Sequence, residues 1–367
     1  MIPSHLLPHD GRFGSGPSKV RGAQVQALLD ANPLLLGTSH RQAPVRGLVA
    51  DVRRMIAELY SLPEGYEVLL SNGGSTFAWD AAAFGLVESK AQLAAFGEFG
   101  AKFASSIAAA PHLDPPTVHR ADPGSIAVPV YEDGVDTYGW PHNETSTGAM
   151  APVKRVPRAD GALMVVDGTS AAGAIELDAR EVDFYYFAPQ KSFASDGGLW
   201  FALTSPAAIA RIEAVAATGR YIPPSLSLLE VLTNSRADQT LNTPAIATLV
   251  MMRAQLEWML AGGGLAAMAA RSAASSAAIY AWAEASRFAL PFVPDPTHRS
   301  PVVATIDLAP DVDSARLQKV LRDHGIVDVF PYRKLGRNQL RIAVFPAVDT
   351  ADVEALLQCI DWVVDHW

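Results

Sequence analysis

The sequence predicts an α/β fold, in which a large domain with a parallel or mixed sheet precedes a smaller α+β domain. Continuous apolar runs at residues 162–167, 182–188 and 199–204 alternate with segments of helical spacing. Unbroken apolar strands are typical of a sheet that helices cover on both faces. The 367 residues exceed the needs of one small domain and suit a large domain with a smaller one.

The elements of the large domain follow from local patterns. Residues 43–60 have the apolar spacing of a helix, and a short strand at residues 68–71 runs into the loop that starts at Asn72. Ser205-Pro206 and Thr243-Pro244 each predict a helix start, because Ser or Thr can cap a first turn in which Pro is tolerated. The second of these helices is expected to end near the glycines at residues 262–264.

The C-terminal part of the chain changes pattern. Residues 302–308 and 339–345 have strand patterns, and residues 314–324 and 349–367 have helical ones. Gly325 is expected to stop the first of these helices, since glycine is the usual residue just past a helix end. This strand–helix–strand–helix order predicts a small α+β domain.

Composition and charge exclude several function classes. Hydrophobic residues make up 49% of the chain, and the net charge is −9. A basic surface for nucleic acid is therefore not expected, and an anionic substrate would need a local basic pocket. The single cysteine, Cys359, excludes an intrachain disulfide and a cysteine-cluster metal site, and it is expected in the core.

Targeting patterns are also missing from the sequence. The N-terminal residues lack a charged-then-apolar signal pattern. No stretch reaches the roughly 18 apolar residues of a membrane-spanning helix. We therefore expect a soluble cytoplasmic protein that binds neither nucleic acid nor membrane.

Asp167 and Lys191 are the first candidates for chemistry. Asp167 ends one predicted strand and Lys191 follows the next, and ligands of open α/β sheets gather at the carboxyl ends of strands. A lysine there can form a Schiff base with an aldehyde, and an acid can keep a pyridinium nitrogen protonated. For the pair alone, a surface lysine and a turn aspartate are the alternative.

A glycine-containing loop at residues 72–76 is the second candidate. Gly73 and Gly74 allow the backbone to approach a phosphate, and the helix that follows offers free N–H groups. Ser75 and Thr76 add hydroxyl donors. The spacing matches neither GxGxxG nor GxxxxGK[ST], so it does not indicate NAD or ATP. An ordinary glycine turn is the alternative.

Basic residues provide the third candidate group. His40 and Arg41 precede a predicted helix, where the helix dipole disfavours positive charge unless an anion is present. Arg341 lies in an apolar strand, so it either lies on the polar face of an edge strand or holds a substrate carboxylate.

Two polar segments are further candidates. HNETSTG at residues 142–148 is compatible with a plain loop, and NTPA at residues 242–245 is compatible with a helix cap.

Taken in order, these segments resemble the phosphoserine aminotransferases, class V members of the fold type I family that depends on pyridoxal 5'-phosphate (PLP). The resemblance extends over nearly the whole chain. Its segments are FGSGPSKV, GTSHR, SNGGST, HNETSTG, VVDGTSAAG, FAPQKSFASDGG, NTPAIATL and QLRIAVF.

The resemblance implies an aspartate-aminotransferase-like fold with a mostly parallel seven-stranded sheet. It places the PLP-binding domain at residues 16–262 and the small domain at residues 263–367, with residues 1–15 packed near the small domain. It also implies a homodimer with shared active sites, because Asn242 and Thr243 match a pair that reaches the cofactor phosphate across the dimer interface.

Roles are implied residue by residue. Lys191 matches the lysine that binds PLP and moves a proton between the substrate α-carbon and C4′ of the cofactor, and Asp167 matches the partner of the pyridinium nitrogen. His40 and Arg41 match residues that bind the substrate phosphate, and Arg341 matches the arginine that holds the α-carboxylate. Further cofactor contacts are implied for Gly74, Ser75, Thr76, Phe99, Thr145, Gln190, Asn242 and Thr243.

Two departures from the family pattern stand out. Phe99 occupies the position where the family often stacks a tryptophan on the cofactor ring, and Ser75 and Thr76 stand where some members have an arginine. The basic loop before Arg341 matches the family poorly, and the sequence does not decide which of its residues binds the substrate phosphate: Arg333, Lys334 or Arg337.

The implied reaction transfers an amino group between L-glutamate and 3-phosphohydroxypyruvate, giving O-phospho-L-serine and 2-oxoglutarate in a ping-pong cycle. A second substrate, 4-phosphohydroxy-L-threonine of pyridoxine biosynthesis, would fit the same pocket. The alternatives are another class V enzyme, such as a serine or alanine–glyoxylate aminotransferase or a cysteine desulfurase, and a non-catalytic dimeric binding module. No metal is expected.

Overall fold

A computed structural model describes residues 1–31, 33 and 35–366 of the protein. Its main feature is a seven-stranded sheet in the order β1-β9-β8-β7-β4-β2-β3. The strands of this sheet are β1 Glu67–Asn72, β2 Ala91–Ala95, β3 Thr117–Arg120, β4 Thr137–Pro141, β7 Leu163–Asp167, β8 Phe184–Phe187 and β9 Leu199–Thr204. Strand β9 is antiparallel to both of its neighbours, and the remaining pairs are parallel. The predicted α/β class and the mostly parallel sheet are confirmed.

Helices cover both faces of this sheet. In β7, Met164 and Val166 point into one core and Leu163 and Val165 into the other, which explains why the strand is apolar at its first four positions. The helices around the sheet are α1 Gly22–Ala31, α2 Ala43–Leu59, α3 Ser75–Gly85, α4 Glu98–Ala109, α5 Pro206–Ala217, α6 Leu228–Arg236 and α7 Ile246–Ala261. A short ribbon of β5 Asn143–Glu144 and β6 Ala149–Met150 follows β4.

The two predicted helix starts have different outcomes. Ser205 caps α5 as expected, and its hydroxyl accepts a hydrogen bond from the N–H of Ala208 at 3.1 Å. The prediction at Thr243-Pro244 is wrong, because α7 begins only at Ile246 and has no side-chain cap. The Thr243 hydroxyl instead contacts the His40 ring at 3.2 Å, so a tertiary contact takes the group that would have capped the helix.

The C-terminal part forms a separate three-stranded antiparallel sheet in the order β10-β11-β12. Its elements are α8 Gly264–Ala285, β10 Ala289–Pro291, β11 Val303–Leu308, α9 Ser314–Asp323, β12 Gln339–Ala343 and α10 Thr350–Asp365. Helix α9 ends where predicted, and Gly325 follows with a φ of +82° that favours glycine. The short strand β10 was not predicted, since three residues are too few to show the alternating hydrophobic pattern of a strand.

The N-terminal residues pack against this smaller unit. Ile2 and Phe13 are buried in its core, together with Cys359. The backbone of Phe13 also accepts a hydrogen bond from Ala343 at 3.1 Å and donates one to Val327 at 3.3 Å. These contacts agree with the expected position of residues 1–15, while the domain boundaries themselves stay a prediction. Within the described ranges, no helix has the length and apolar character needed to cross a membrane.

Candidate active site

A cavity of about 310 Å³ lies at the carboxyl ends of the parallel strands. Strand β7 ends at Asp167, and the loop after β8 brings Lys191 to the same edge of the sheet. Its lining residues are Gly16, Gly74, Ser75, Thr76, Trp79, Phe99, Asn143, Thr145, Asp167, Thr169, Ser170, Gln190 and Lys191. Eight of the predicted site residues therefore meet in one place: Gly74, Ser75, Thr76, Phe99, Thr145, Asp167, Gln190 and Lys191.

Lys191 is buried, with 9% of its surface exposed. Its Nζ donates a hydrogen bond to the backbone carbonyl of Ser15 at 2.6 Å. Gly16 must be glycine here, because its φ is +126° and a Cβ would lie 2.7 Å from the Lys191 side chain. Burial lowers the pKa of Lys191 to about 8, with a contribution in the same direction from the charge of Arg341. The amine is therefore partly neutral near physiological pH.

Asp167 faces the same cavity and is held by its neighbours. Its Oδ1 accepts hydrogen bonds from the backbone N–H of Thr169 at 2.8 Å and from the Thr169 hydroxyl. The Thr169 hydroxyl also shares a hydrogen bond of 2.6 Å with the hydroxyl of Ser75. Burial raises the pKa of Asp167, and the bonds from Thr169 and the charge of Lys191 oppose that rise. A cation placed in the cavity would stabilise the carboxylate.

The loop at Gly73–Gly74 leads directly into helix α3 at one end of the cavity. No side chain caps the first turn of α3, and Gly74, Ser75 and Thr76 at that turn line the cavity. This arrangement is suited to an anion. On the cavity wall, the side-chain oxygens of Gln190 and Asn143 are buried and have no hydrogen-bond partner among the described residues. These two oxygens can accept hydrogen bonds from donor groups of a ligand.

Phe99 lines the cavity, and Arg341 lies beside it, bonded to the backbone of the lining residue Thr145. The Lys191 Nζ lies 5.8 Å from the centre of the Phe99 ring. Arg341 is on β12 of the smaller sheet and 8% exposed, and its Nη1 donates to the carbonyl of Thr145 at 3.3 Å. Burial lowers the pKa of Arg341, and the Tyr332 ring lies 5.4 Å from its guanidinium. The strand arginine is thus buried and does not lie on a solvent-facing polar side of the strand, while its contact with a substrate carboxylate stays a prediction.

Besides Arg341, four further predicted residues do not line this cavity within one chain. Asn242, Thr243 and Arg41 are exposed, and His40 is partly exposed. They form one group, because the Thr243 hydroxyl contacts the His40 ring and the Arg41 guanidinium donates to Gln239 at 2.9 Å. We refer to His40, Arg41, Asn242 and Thr243 as the distal group.

Sequence reasoning did not single out five of the lining residues: Gly16, Trp79, Asn143, Thr169 and Ser170. Thr169 and Ser170 follow Asp167 directly, so the strand-end position that identified the acid could also have indicated them. Trp79 carried no such signal, because it lies one turn into a predicted helix, where an aromatic residue is typical of the core. A larger open groove of about 970 Å³ elsewhere is lined by none of the predicted site residues.

The chemistry of the cavity follows from these positions. An amine with a lowered pKa can react with a carbonyl group, and a buried carboxylate opposite it can hold a cationic ring nitrogen. The uncapped helix terminus accommodates a phosphate, and a buried arginine accommodates a carboxylate.

Comparison with known proteins identifies relatives of this chain. The family described as "Aminotransferase class-V" matches residues 135–328. A phosphoserine aminotransferase of a Nocardioides species is 58% identical over 367 residues, which cover 100% of this chain and 98% of that protein.

Solved structures with lower identity share the fold. A phosphoserine aminotransferase from Cytophaga hutchinsonii has a TM-score of 0.88 at 22% identity, covering 96% of this chain and 99% of that one. PLP-bound phosphoserine aminotransferase from Trichomonas vaginalis has a TM-score of 0.81 at 18% identity, covering 96% of this chain and 100% of that one.

The reactivity of Lys191 in the cofactor-free protein should follow its lowered pKa. Only the neutral amine reacts with cyanate, so carbamylation of Lys191 should rise with a midpoint near pH 8, as the pKa of about 8 requires. In the urea-unfolded chain the midpoint should lie near the ordinary lysine value of about 10.4. Peptide mass spectrometry across a pH series measures both midpoints.

The variant Asp167→Asn should lower the midpoint of the folded protein further, because the Asp167 charge favours the protonated amine of Lys191. Identical carbamylation curves for the folded and unfolded protein would contradict the lowered pKa of Lys191.

Proposed function

The chain belongs to the phosphoserine aminotransferase family of class V aminotransferases, and from that membership we propose its reaction. It transfers an amino group between L-glutamate and 3-phosphohydroxypyruvate, giving O-phospho-L-serine and 2-oxoglutarate. The 58% identity with a phosphoserine aminotransferase over the full chain carries the proposal. The meeting of Lys191 and Asp167 in one cavity supports it. The cytoplasmic location and the second substrate, 4-phosphohydroxy-L-threonine, stay predictions.

The rival functions fit the structure less well. A cysteine desulfurase needs a mobile cysteine nucleophile, but Cys359 is fully buried in α10 and its thiol contacts the carbonyl of Leu6 at 3.2 Å. Burial also raises the pKa of that thiol to about 11, which disfavours the reactive thiolate. A non-catalytic module would have no need of a buried lysine, which is costly to retain.

The residues of the cavity fit PLP. Gly74, Ser75, Thr76 and the uncapped first turn of α3 would hold its phosphate, and Gln190, which lines the same cavity, would donate to it from its side-chain NH₂ group. When bound, PLP supplies a carbonyl carbon that takes up the amino group and a cationic ring that withdraws electrons from it. Phe99 would form the wall against the ring, and Thr145 would contact the ring oxygen.

The chain's own residues supply the acid–base and binding steps. Nζ of Lys191 removes the proton from the α-carbon of the amino donor and later returns one, and its lowered pKa suits both directions near neutral pH. Asp167, oriented by Thr169, keeps the ring nitrogen protonated. Arg341 holds the α-carboxylate, since its guanidinium is buried and its Nε has no partner among the described residues.

The substrate phosphate needs further cations. In the loop before β12, Lys334 is paired with Glu98, and Arg337 is paired with Asp307 through Nε at 3.0 Å and Nη2 at 2.5 Å. Arg333 is exposed and has no ion pair within the described part of the chain. We assign the phosphate contact in this loop to Arg333, because the other two charges are already matched.

The distal group would complete the site of a second copy of the chain. Its members are mostly exposed and lie outside the cavity of their own chain, as residues that serve a partner would. The contact between His40 and Thr243 implies that whichever site receives Thr243 also receives His40 and Arg41. We therefore propose a homodimer in which Asn242 and Thr243 reach the cofactor phosphate and His40 and Arg41 reach the substrate phosphate of the partner.

The absorbance spectrum of the PLP-loaded protein tests the reaction. Addition of O-phospho-L-serine should abolish the visible band, whereas L-serine should leave it unchanged because it lacks the phosphate. Lys191→Ala should bind PLP without catalysing transamination. If serine or alanine changed the spectrum and O-phosphoserine did not, the proposed substrate would be wrong. If the protein stayed colourless with added PLP, the proposal that it is a PLP-dependent enzyme would be wrong.

Arg333→Ala should raise the KM for O-phospho-L-serine by roughly 10- to 100-fold, the expected loss for one hydrogen bond to a charged group. The KM for L-glutamate should change little, since glutamate carries no phosphate. Arg337→Ala is the matched control, because its guanidinium is paired with Asp307. Steady-state kinetics with both substrates measure the difference, and equal effects of the two variants would argue against the assignment.

Hybrid dimers test the shared site. Arg41→Ala and Lys191→Ala should each be nearly inactive alone, but unfolding and refolding them together should restore about one quarter of the wild-type activity. Half of the dimers would then be hybrids, and each hybrid would have one site with Lys191 from one chain and Arg41 from the other. No recovery from the mixture would mean that both residues serve the same chain.

A further inference from the structure

Glu144 is a fully buried acid to which no role has yet been assigned. It is 0% exposed and forms no ion pair with any described residue. Its Oε2 accepts hydrogen bonds from the backbone N–H groups of Phe99 and Gly100, each at 3.0 Å. Its Oε1 accepts from the N–H of Ser146 at 3.2 Å and from the Ser146 hydroxyl at 2.6 Å.

These bonds favour the ionised carboxylate of Glu144. All four donors are N–H or O–H groups, and two of them belong to the first turn of α4, where the helix dipole also favours negative charge. Burial raises the pKa of Glu144 above its ordinary value, and the bonds from Ser146 and Gly100 offset only part of that rise. The geometry is closely fitted, since a Cβ on Gly97 would lie 2.3 Å from the Glu144 side chain.

The groups that Glu144 holds are groups that face the cavity. Phe99 is the aromatic wall, and its backbone is bonded directly to Glu144. The next residue, Thr145, lines the cavity with its side chain and accepts from Arg341 with its carbonyl. The negative charge of Glu144 also favours the charged forms of both Lys191 and Arg341. The Glu144 carboxylate is therefore bonded to the backbone of Phe99 and lies next in sequence to Thr145, whose carbonyl binds Arg341.

We propose that Glu144 is a positioning residue: its carboxylate clamps the first turn of α4 and thereby sets the place of Phe99 and, through Thr145, of Arg341. The inference rests on the proposed function, because it assigns the clamp to the residues that would contact cofactor and amino donor. Glu144 itself lies behind these residues and is not among those that line the cavity.

Glu144→Gln is the direct test, since it keeps the shape but replaces one acceptor oxygen by an NH₂ that faces N–H donors. Glu132→Gln is the matched control. Glu132 also accepts several side-chain bonds, from Lys90, Gln92 and Thr117, but it lies at the opposite end of the strands from the cavity. Both variants should lower the melting temperature, so stability alone does not distinguish them.

Three measurements do distinguish them. Glu144→Gln should change the visible circular dichroism of the PLP-loaded protein and lower kcat/KM for glutamate by roughly 10- to 100-fold, the cost of a misplaced site. It should also speed hydrogen exchange at the Phe99 and Gly100 amides by about tenfold or more, the loss expected for a hydrogen bond to a charged group. Glu132→Gln should leave all three at wild-type values.

Wild-type values of all three in Glu144→Gln, or equal changes in Glu132→Gln, would overturn the clamp. If Glu144→Gln does not fold, hydrogen exchange in the wild-type protein decides: protected Phe99 and Gly100 amides support the clamp, and amides that exchange as freely as an unfolded chain refute it. A wild-type protein that neither binds PLP nor transaminates would instead refute the proposed function, while the exchange rates would still report on the clamp.

Discussion

The burial of charge around Lys191 is the constraint on which the rest of the structure depends. Removing an ammonium from water is costly unless polar groups replace its hydration. The described structure meets this need without a direct ion pair to Lys191: the Ser15 carbonyl accepts from Nζ, and the carboxylates of Asp167 and Glu144 lie near enough to favour the charged form. The pKa that results, about 8, leaves the amine available for both binding and proton transfer.

The same constraint explains why the acids are held by hydrogen bonds from the backbone and from hydroxyl groups. Asp167 is fixed by Thr169, and Glu144 by Phe99, Gly100 and Ser146. Donors of this kind stabilise a carboxylate without adding a mobile cation that would compete with substrate or cofactor. They also orient the acids, which a long lysine or arginine partner would do less well.

The predicted site draws on residues of both sheets. Asp167 and Lys191 come from the seven-stranded sheet, whereas Arg341 comes from β12 of the smaller one. The N-terminal segment joins the two, because Phe13 is buried in the smaller core and the N–H and hydroxyl of Ser18 bond to the carbonyls of Gln190 and Lys191 at 2.9 and 2.5 Å. A shift of the smaller unit would therefore move Arg341 and the Ser15 carbonyl together relative to the cavity.

The sequence by itself determined the α/β class and most elements, because continuous apolar runs and helical spacing are local patterns that burial on both faces imposes. It also predicted Asp167 and Lys191 as site residues, since a strand end is visible in the chain, and the structure brings both to one cavity. Tertiary structure alone decided the inward direction of Arg341, the separation of the distal group from the cavity, and the use of the Thr243 hydroxyl for His40 in place of a helix cap. These features depend on contacts between residues that are far apart in sequence, and local sequence patterns carry no information on such contacts.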